Sequence, residues 1–238
     1  MPSARPVRAV ARRLVAAVTL SIVIAACGGQ AQAPDPKKTL QQGAAATAAL
    51  KTVKATLTFT KGTITFQGFS LASAKATVRM PGDSDTVYTV KEQDLSIGFE
   101  VVITGGHVYI HVPFSTFREL TGPDAALVPD LAKMFNPATG LPALIPAGSG
   151  SRYVSTDQVG GVTAYQISTT YSGAQVRGML PQLTSATDVH AHVWVDAGDH
   201  LIRKAVLDGA FGDGGKEASV EVDLSDFNAP VSITTPTP

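Results

Sequence analysis

The side chains in this chain that could do chemistry are few and scattered. Cys27 is the only thiol. His190 and His192 lie two apart and His107 and His111 four apart, in stretches that alternate apolar and polar residues. On a strand both spacings return a side chain to one face. A metal there would need further ligands and a supporting shell of hydrogen bonds. The companions on those faces are Tyr109 and Trp194, so these histidines read as surface or structural groups. Gly212-Asp213-Gly214-Gly215-Lys216 superficially suggests a phosphate loop, but Ala210 occupies the first glycine position and Glu217 replaces Ser or Thr. It reads as a hairpin turn. Neither G-x-S-x-G nor H-E-x-x-H occurs. Nothing assembles a nucleophile, a base and an oxyanion site, so the expectation is a non-enzyme without metal or cofactor.

Cys27 stands apart because of what precedes it. Arg5, Arg8, Arg12 and Arg13 lead into Leu14–Ala26, which carries no charge. A basic start, a short apolar run and small residues at its end make an export signal. The run is well short of the roughly 20 residues that cross a bilayer as a helix. Its end, Ile24-Ala25-Ala26-Cys27, resembles a bacterial lipobox. In proteins of that kind the thiol takes a diacylglycerol, a peptidase cuts before the cysteine, and the new amino group is often acylated, for instance by palmitate. The alternative, an ordinary signal with an incidental cysteine, leaves a lone thiol with no disulfide partner in an exported chain. Several acyl chains give stable attachment where one does not. The expected organisation is a lipoprotein signal peptide over residues 1–26, a tether over 27–35 and one domain over 36–238. Its place is the outer leaflet of the cell membrane, facing the periplasm or cell wall.

Loss of the four arginines with the signal leaves 15 basic against 19 acidic residues, which argues against a nucleic-acid partner. Only 16% of the chain is charged while 44% is hydrophobic, with few aromatics. Such a domain needs a large aliphatic core or a large apolar hollow. The elements that would build it follow from periodicity. Pro36 to Leu50 is alanine-rich and helical, with Leu40, Ala44, Thr47 and Leu50 on one face. The period then becomes two: Val53, Ala55, Leu57 and Phe59 alternate with Lys54, Thr56, Thr58 and Thr60. Similar alternation recurs as far as Val112, with turns at Pro81-Gly82-Asp83 and Gly105-Gly106, and reads as an antiparallel meander with one apolar face. Between Pro113 and Gly150 strands stop. Phe114, Phe117 and Leu120 suggest a helical turn, and Asp124 to Phe135 a helix that Pro129 could interrupt. This is the most apolar non-strand part of the mature chain, so it has to cover something. Strands return from Tyr153, with a helix from Ser172 to about Leu183 and three further strands to Leu224; the Pro-rich tail reads as loose.

The order of these features resembles the actinobacterial LppX/LprA/LprF/LprG lipoprotein family. The residues that carry the likeness are Asn136-Pro137-Ala138-Thr139-Gly140-Leu141 and Val193-Trp194-Val195 before Gly198-Asp199-His200-Leu201. Gly106-His107-Val108-Tyr109 and Leu224-Ser225-Asp226-Phe227 add to it. The resemblance implies an α+β fold: a strongly curved antiparallel half-barrel of about ten strands with helices on its concave side, similar to LolA and LolB. Between sheet and helices it implies an apolar cavity for acyl chains. Pattern alone leaves a cavity and a filled core equally open.

On that resemblance the expected function is an envelope lipoprotein that binds acylated lipids or glycolipids and carries or chaperones them between membrane layers. The alternative is a structural or interaction lipoprotein with a filled core. The expected cavity lining is Tyr88, Val90, Phe99, Val101, Ile103, Val108 and Ile110 from the meander. Leu131, Met134, Phe135, Leu141, Leu144 and Ile145 join them from the helical insertion. Expected partners are the lipid cargo, the membrane through the acyl anchor on Cys27, and an envelope lipid transporter; the protein is expected to act as a monomer.

Overall fold

The structure, a computed structural model, describes residues 33–66, 68–92, 95–179 and 183–237. The signal peptide, Cys27 and most of the tether lie outside these residues.

Asp35 caps the first helix, its carboxylate accepting the Lys38 N–H at 2.8 Å, and Pro36 opens α1 (Pro36–Ala48) with a φ already suited to a helix. Thr39, Leu40, Gly43, Ala44 and Thr47 form its buried face. Once alanine gives way to β-branched residues the chain becomes β1 (Thr52–Lys61), the short β2 (Thr65–Phe66), β3 (Phe69–Arg79) and β4 (Asp83–Glu92). β5 (Leu95–Thr104), β6 (His107–His111) and β7 (Arg118–Leu120) complete the first meander. After the insertion come β8 (Ser149–Val159) and β9 (Val162–Tyr171), then β10 (Val189–Asp196), β11 (Ile202–Gly212) and β12 (Lys216–Ser225).

All pairings are antiparallel, and the sheet order is β7-β6-β5-β4-β3-β1-β12-β11-β10-β9-β8, with β2 paired only to β3. Two meanders, β1–β7 and β8–β12, are thus joined along one seam where the first strand pairs the last. The register across the seam sets Leu57 between Val222 on β12 and Ala74 on β3. Register shifts in β1, β3, β8, β10 and β11 add local twist. The sheet is a strongly curved open half-barrel, as expected. One hydrophobic cluster runs along its concave face, from Val101 and Ile103 on β5 to Ile167 on β9.

The insertion differs in detail. Where one helix is expected over Asp124–Phe135, the chain makes α2 (Gly122–Ala126) and then a separate 3-10 turn (Leu131–Phe135). Pro129 lacks an N–H donor and steers Val128 away from helical angles. Asp130 then starts the second element, accepting the N–H groups of Ala132 and Lys133 at 3.1 and 3.2 Å. The expected turn over Phe114–Leu120 ends instead as β7, with Leu120 facing Val108. α3 (Leu141–Leu144) runs into a 3-10 turn (Ile145–Ala147), and α4 (Gly173–Met179) lies between β9 and β10 where a helix is expected; residues 180–182 of that expected helix lie outside the described residues. The chain after β12 stays docked as far as Ile233, the first residue of the expected loose tail, and Thr234 and Thr235 beyond it are exposed. Asn228 bonds through its N–H to Thr52 and accepts Lys51 N–H at 2.8 Å, Arg79 donates to the Ile233 carbonyl, and Ile233 is buried.

Arg203 fixes the β10–β11 hairpin. It donates twice to the buried Asp196, at 3.0 and 2.7 Å, and once to Asp199, while Phe227 stacks on its guanidinium at 4.6 Å. Burial alone would raise the Asp196 carboxyl, but the N–H groups of Gly198 and Asp199 and the Arg203 charge outweigh it and hold the group below its ordinary value. A depressed carboxyl contributes stability that is present above its unfolded value and is lost as pH falls through the folded one. Asp196→Asn is therefore expected to cost about 2–4 kcal/mol at neutral pH, with the deficit shrinking below about pH 4. Urea unfolding of both proteins at neutral pH and near pH 3 checks this; a deficit that stays constant between the two would contradict it.

Candidate functional site

β7 and β8 are consecutive in the chain but lie at opposite edges of the sheet. Residues 121–148 must therefore cross from one edge to the other, and they do so over the apolar face. Two tyrosines pin this strap. The Tyr88 hydroxyl on β4 donates to the Pro129 carbonyl at 3.4 Å, and the Tyr171 hydroxyl on β9 donates to the Ile145 carbonyl at 3.0 Å. Burial pushes both phenols well above their ordinary range, aided at Tyr88 by the Asp130 charge, so both remain donors. Gln175 on α4 adds a bond to the Ala147 carbonyl at 3.1 Å. Midway, Asn136 accepts the N–H groups of Ala138 and Thr139, and Gly140 bonds back to the Asn136 carbonyl at 2.8 Å. A Cβ at Gly140 would overlap the Met134 carbonyl, which accounts for glycine at the end of the Asn136–Gly140 motif.

The strap and its neighbours cover the sheet in two groups. The 3-10 turn Leu131–Phe135 rests on β3 and β4, whereas α1 rests on β8 and β10 and packs against α3. Between them β1, β12 and β11 lie at the middle of the curve. Their inward residues read across the sheet as Ala74, Leu57, Val222, Ala205 and Val193. Ala205 in that row, with Ala191 on β10, leaves space that larger side chains would fill. A cavity of about 60 Å³ results, room for about five waters or a similar number of methylenes.

The sheet side of the cavity is Leu57, Ala191, Val193, Ile202, Ala205, Leu207, Val220, Val222 and Leu224; the cover contributes Met134, Leu141, Leu144, Ile145, Met179 and Leu183, and Tyr171 closes one side. The one polar group in this set, the Tyr171 hydroxyl, is already engaged with Ile145. Among the described residues no charged side chain lines the space. The arrangement can take up hydrocarbon and offers nothing to a polar solute.

Of the residues singled out from the sequence, Met134, Leu141, Leu144 and Ile145 stand on the cavity wall. Tyr88, Val90, Phe99, Val101, Ile103, Val108, Ile110, Leu131 and Phe135 belong to the same hydrophobic cluster but not to that wall. On their side the strap is in contact with the sheet, and Tyr88 stacks on Phe99 with ring centres 5.2 Å apart. Sequence reading missed the contribution of the second meander. Its alternation is as clear as that of the first, and Ala191 and Ala205 at inward positions are the one available hint of spare volume. The histidines are occupied with their strand neighbours on the convex face. His107 meets Glu119 at 2.7 Å, His192 meets Gln166 at 2.9 Å, and His190 meets Thr170 at 3.2 Å.

A curved antiparallel half-barrel, covered on its concave side by an edge-to-edge strap over an all-apolar gap, defines the structural class. The match to known proteins is specific: the LppX_LprAFG lipoprotein family model covers residues 35–233, and the chain belongs to that family. It is 27% identical over 235 residues to the lipoarabinomannan carrier protein LprG of Mycobacterium tuberculosis, covering 94% of this chain and 95% of that one. Among solved structures, LprF of Mycobacterium bovis superposes with a TM-score of 0.68 at 21% identity, over 87% of this chain and all of that one. LppX of Mycobacterium tuberculosis gives a TM-score of 0.62 at 20% identity, over 84% of this chain and all of that one.

The pin at Tyr171 can be tested directly. Tyr171→Phe leaves the buried Ile145 carbonyl without its partner, and a loss of about 1–2 kcal/mol is expected in urea unfolding. Proteolysis should quicken first in residues 141–148, where the pin holds the strap. Unchanged stability with unchanged proteolysis would show that the bond does not hold the cover down.

Proposed function

We propose that this protein is an envelope lipid carrier that houses acyl chains in the gap between the curved sheet and its strap. The observation that carries the reading is the wall of the gap: aliphatic and Met side chains from both meanders and the cover, with no free polar group among the described residues. Flexible, polarisable side chains such as Met134 and Met179 tolerate chains of varied shape. The relative of Mycobacterium tuberculosis named as a lipoarabinomannan carrier, matched over 95% of its length, supports a lipid or glycolipid cargo. Transport of this kind needs no catalytic group. Each methylene exposed to water costs about 0.8 kcal/mol, so a C16 chain costs over about 10 kcal/mol, and a dry passage lowers that barrier. Cys27, acylated after removal of residues 1–26, would hold the domain at the outer leaflet through its tether, where it can meet an envelope transporter.

A second reading is favoured by the volume. A space of about 60 Å³, room for about five water-sized groups, is far less than a C16 chain needs. On the carrier reading the strap moves away from β11 and β12 when cargo enters. On the second reading the interior is a core with a packing defect, and the protein is an interaction lipoprotein.

The two separate on lipid loading. The Cys27→Ala chain, exported in a lipid-containing host and examined by native mass spectrometry, is expected to carry bound lipid. Ala205→Phe, which fills the middle of the gap, is expected to lower occupancy about tenfold while the circular dichroism spectrum stays that of the wild type. Wild-type protein that emerges without lipid, and takes up none from phosphatidylglycerol vesicles, would favour the packed-core reading.

A further inference from the structure

The turn between β11 and β12, which resembles a phosphate loop only superficially, has a different use in the fold. It frames an open depression of about 370 Å³, together with Thr65 on β2, Ala210 and Phe211 on β11, and Thr184 and Ala186 ahead of β10. Asp213 buckles the turn to β2. Its carboxylate accepts the N–H and the hydroxyl of Thr65 at 2.7 and 2.9 Å, and its own N–H donates to the Thr63 carbonyl. Gly214 and Gly215 take φ of 69° and 73°, left-handed angles that suit glycine, so neither position puts a side chain into the depression.

The depression and the apolar gap are close neighbours. Leu183 lines the gap, and Thr184, the next residue, lines the depression. On β11 Leu207 lines the gap and Phe211 the depression, and the inward position between them is Gly209, opposite Ala218. A Cβ at Gly209 would stand 3.3 Å from Phe211 Cδ1 and 3.1 Å from Val189 Cγ2. The Phe211 ring therefore occupies the place a side chain would take there. It is 2% exposed and belongs to the same hydrophobic cluster as Leu183, Val189 and Ala218. Among the described residues the partition is this ring, lodged over a glycine with Val189 beside it.

The partition is also weakly tied to the sheet. β10 pairs with β11 only as far as Asp208. On the other side the register passes from Gly209–Ala218 to Gly212–Lys216, so Ala210 and Phe211 face the single Glu217 in a bulge. Phe211 thus sits in neither ladder. At the other end of the same strands the interior is closed more firmly, where Gly43 of α1 lies against Ile202 and Val195.

We propose that Phe211 is the gate of the gap: its ring swings aside to let acyl chains pass between the depression and the apolar interior. The inference rests on the carrier reading and adds to it a route of entry and the residue that controls it.

A gate alters how fast lipid enters and leaves, but not how much is held at equilibrium. Uptake by the delipidated Cys27→Ala chain from phosphatidylglycerol vesicles, and release into phosphatidylcholine vesicles, can be followed in time by native mass spectrometry. Phe211→Leu keeps the site apolar but thins the partition, and is expected to speed both steps about tenfold. Ala210→Trp sets an indole in the depression outside the gate, and is expected to slow both about tenfold. Final occupancy should match the wild type in each. Val87→Ser, an exposed change on the convex face, should load and release at the wild-type rate. Where Phe211→Leu does not fold, Ala210→Trp decides the matter. Wild-type rates in Ala210→Trp, or rates that change only in step with final occupancy, would overturn the gate while leaving the carrier reading intact. Wild-type protein that takes up no lipid would overturn the carrier reading, and the gate with it.

Discussion

The fold depends on a connection that has to cross the whole sheet. Because β7 and β8 are sequential neighbours on opposite edges, residues 121–148 cannot make a hairpin and must pass over a face. The concave face is apolar and must be covered, so the crossing and the covering are the same event. A strap that runs as a chord beneath an arc touches where the arc rises at its sides and stands clear where it is deepest. The contacts follow that geometry: the strap's Leu131–Phe135 turn meets β3 and β4 on one side, on the other it rests on α1, which in turn packs on β8 and β10, and the gap lies beneath β1, β12 and β11.

What keeps the gap from collapsing is the choice of side chains and pins. Ala205 is the small member of a stretch of the wall that otherwise holds Leu57, Val222 and Val193, and Ala191 is small on β10. Tyr88 and Tyr171 fix the strap at two points by bonds to its carbonyls, one toward each side. A buried carbonyl without a partner costs more than one hydrogen bond contributes, so each pin sets a position as well as a strength. A strap held at two points and loosely supported between them can change the volume beneath it without losing its path.

The architecture was readable because alternation over Val53–Phe59 and Ala218–Leu224 reports strands and faces directly, and because Asn136–Gly140 carries a turn that only glycine can finish. The breaks were less readable. Pro129 divided one expected helix, and nothing local announced that Arg118–Leu120 would find β6 as a partner. The expected lining drew on the first meander and the insertion, whereas the gap is walled mainly by the second meander and the cover, and the reason is topological. Periodicity marks Tyr88, Phe99 and Val193 alike as inward. Which of them meet the strap and which face open space depends on the pairing of β1 with β12, a contact between the two ends of the domain that no local pattern encodes.

That seam has a kinetic side. The first strand cannot complete its pairing until the last has been made, so the decisive contact joins residues 54–61 to 219–225. Domains dominated by such distant pairings fold slowly. Until Ser225 is available, one side of β1 stays an open edge, able to recruit another chain. For a polypeptide threaded outward from its amino end, the most aggregation-prone interval is the time between delivery of the first meander and arrival of the second.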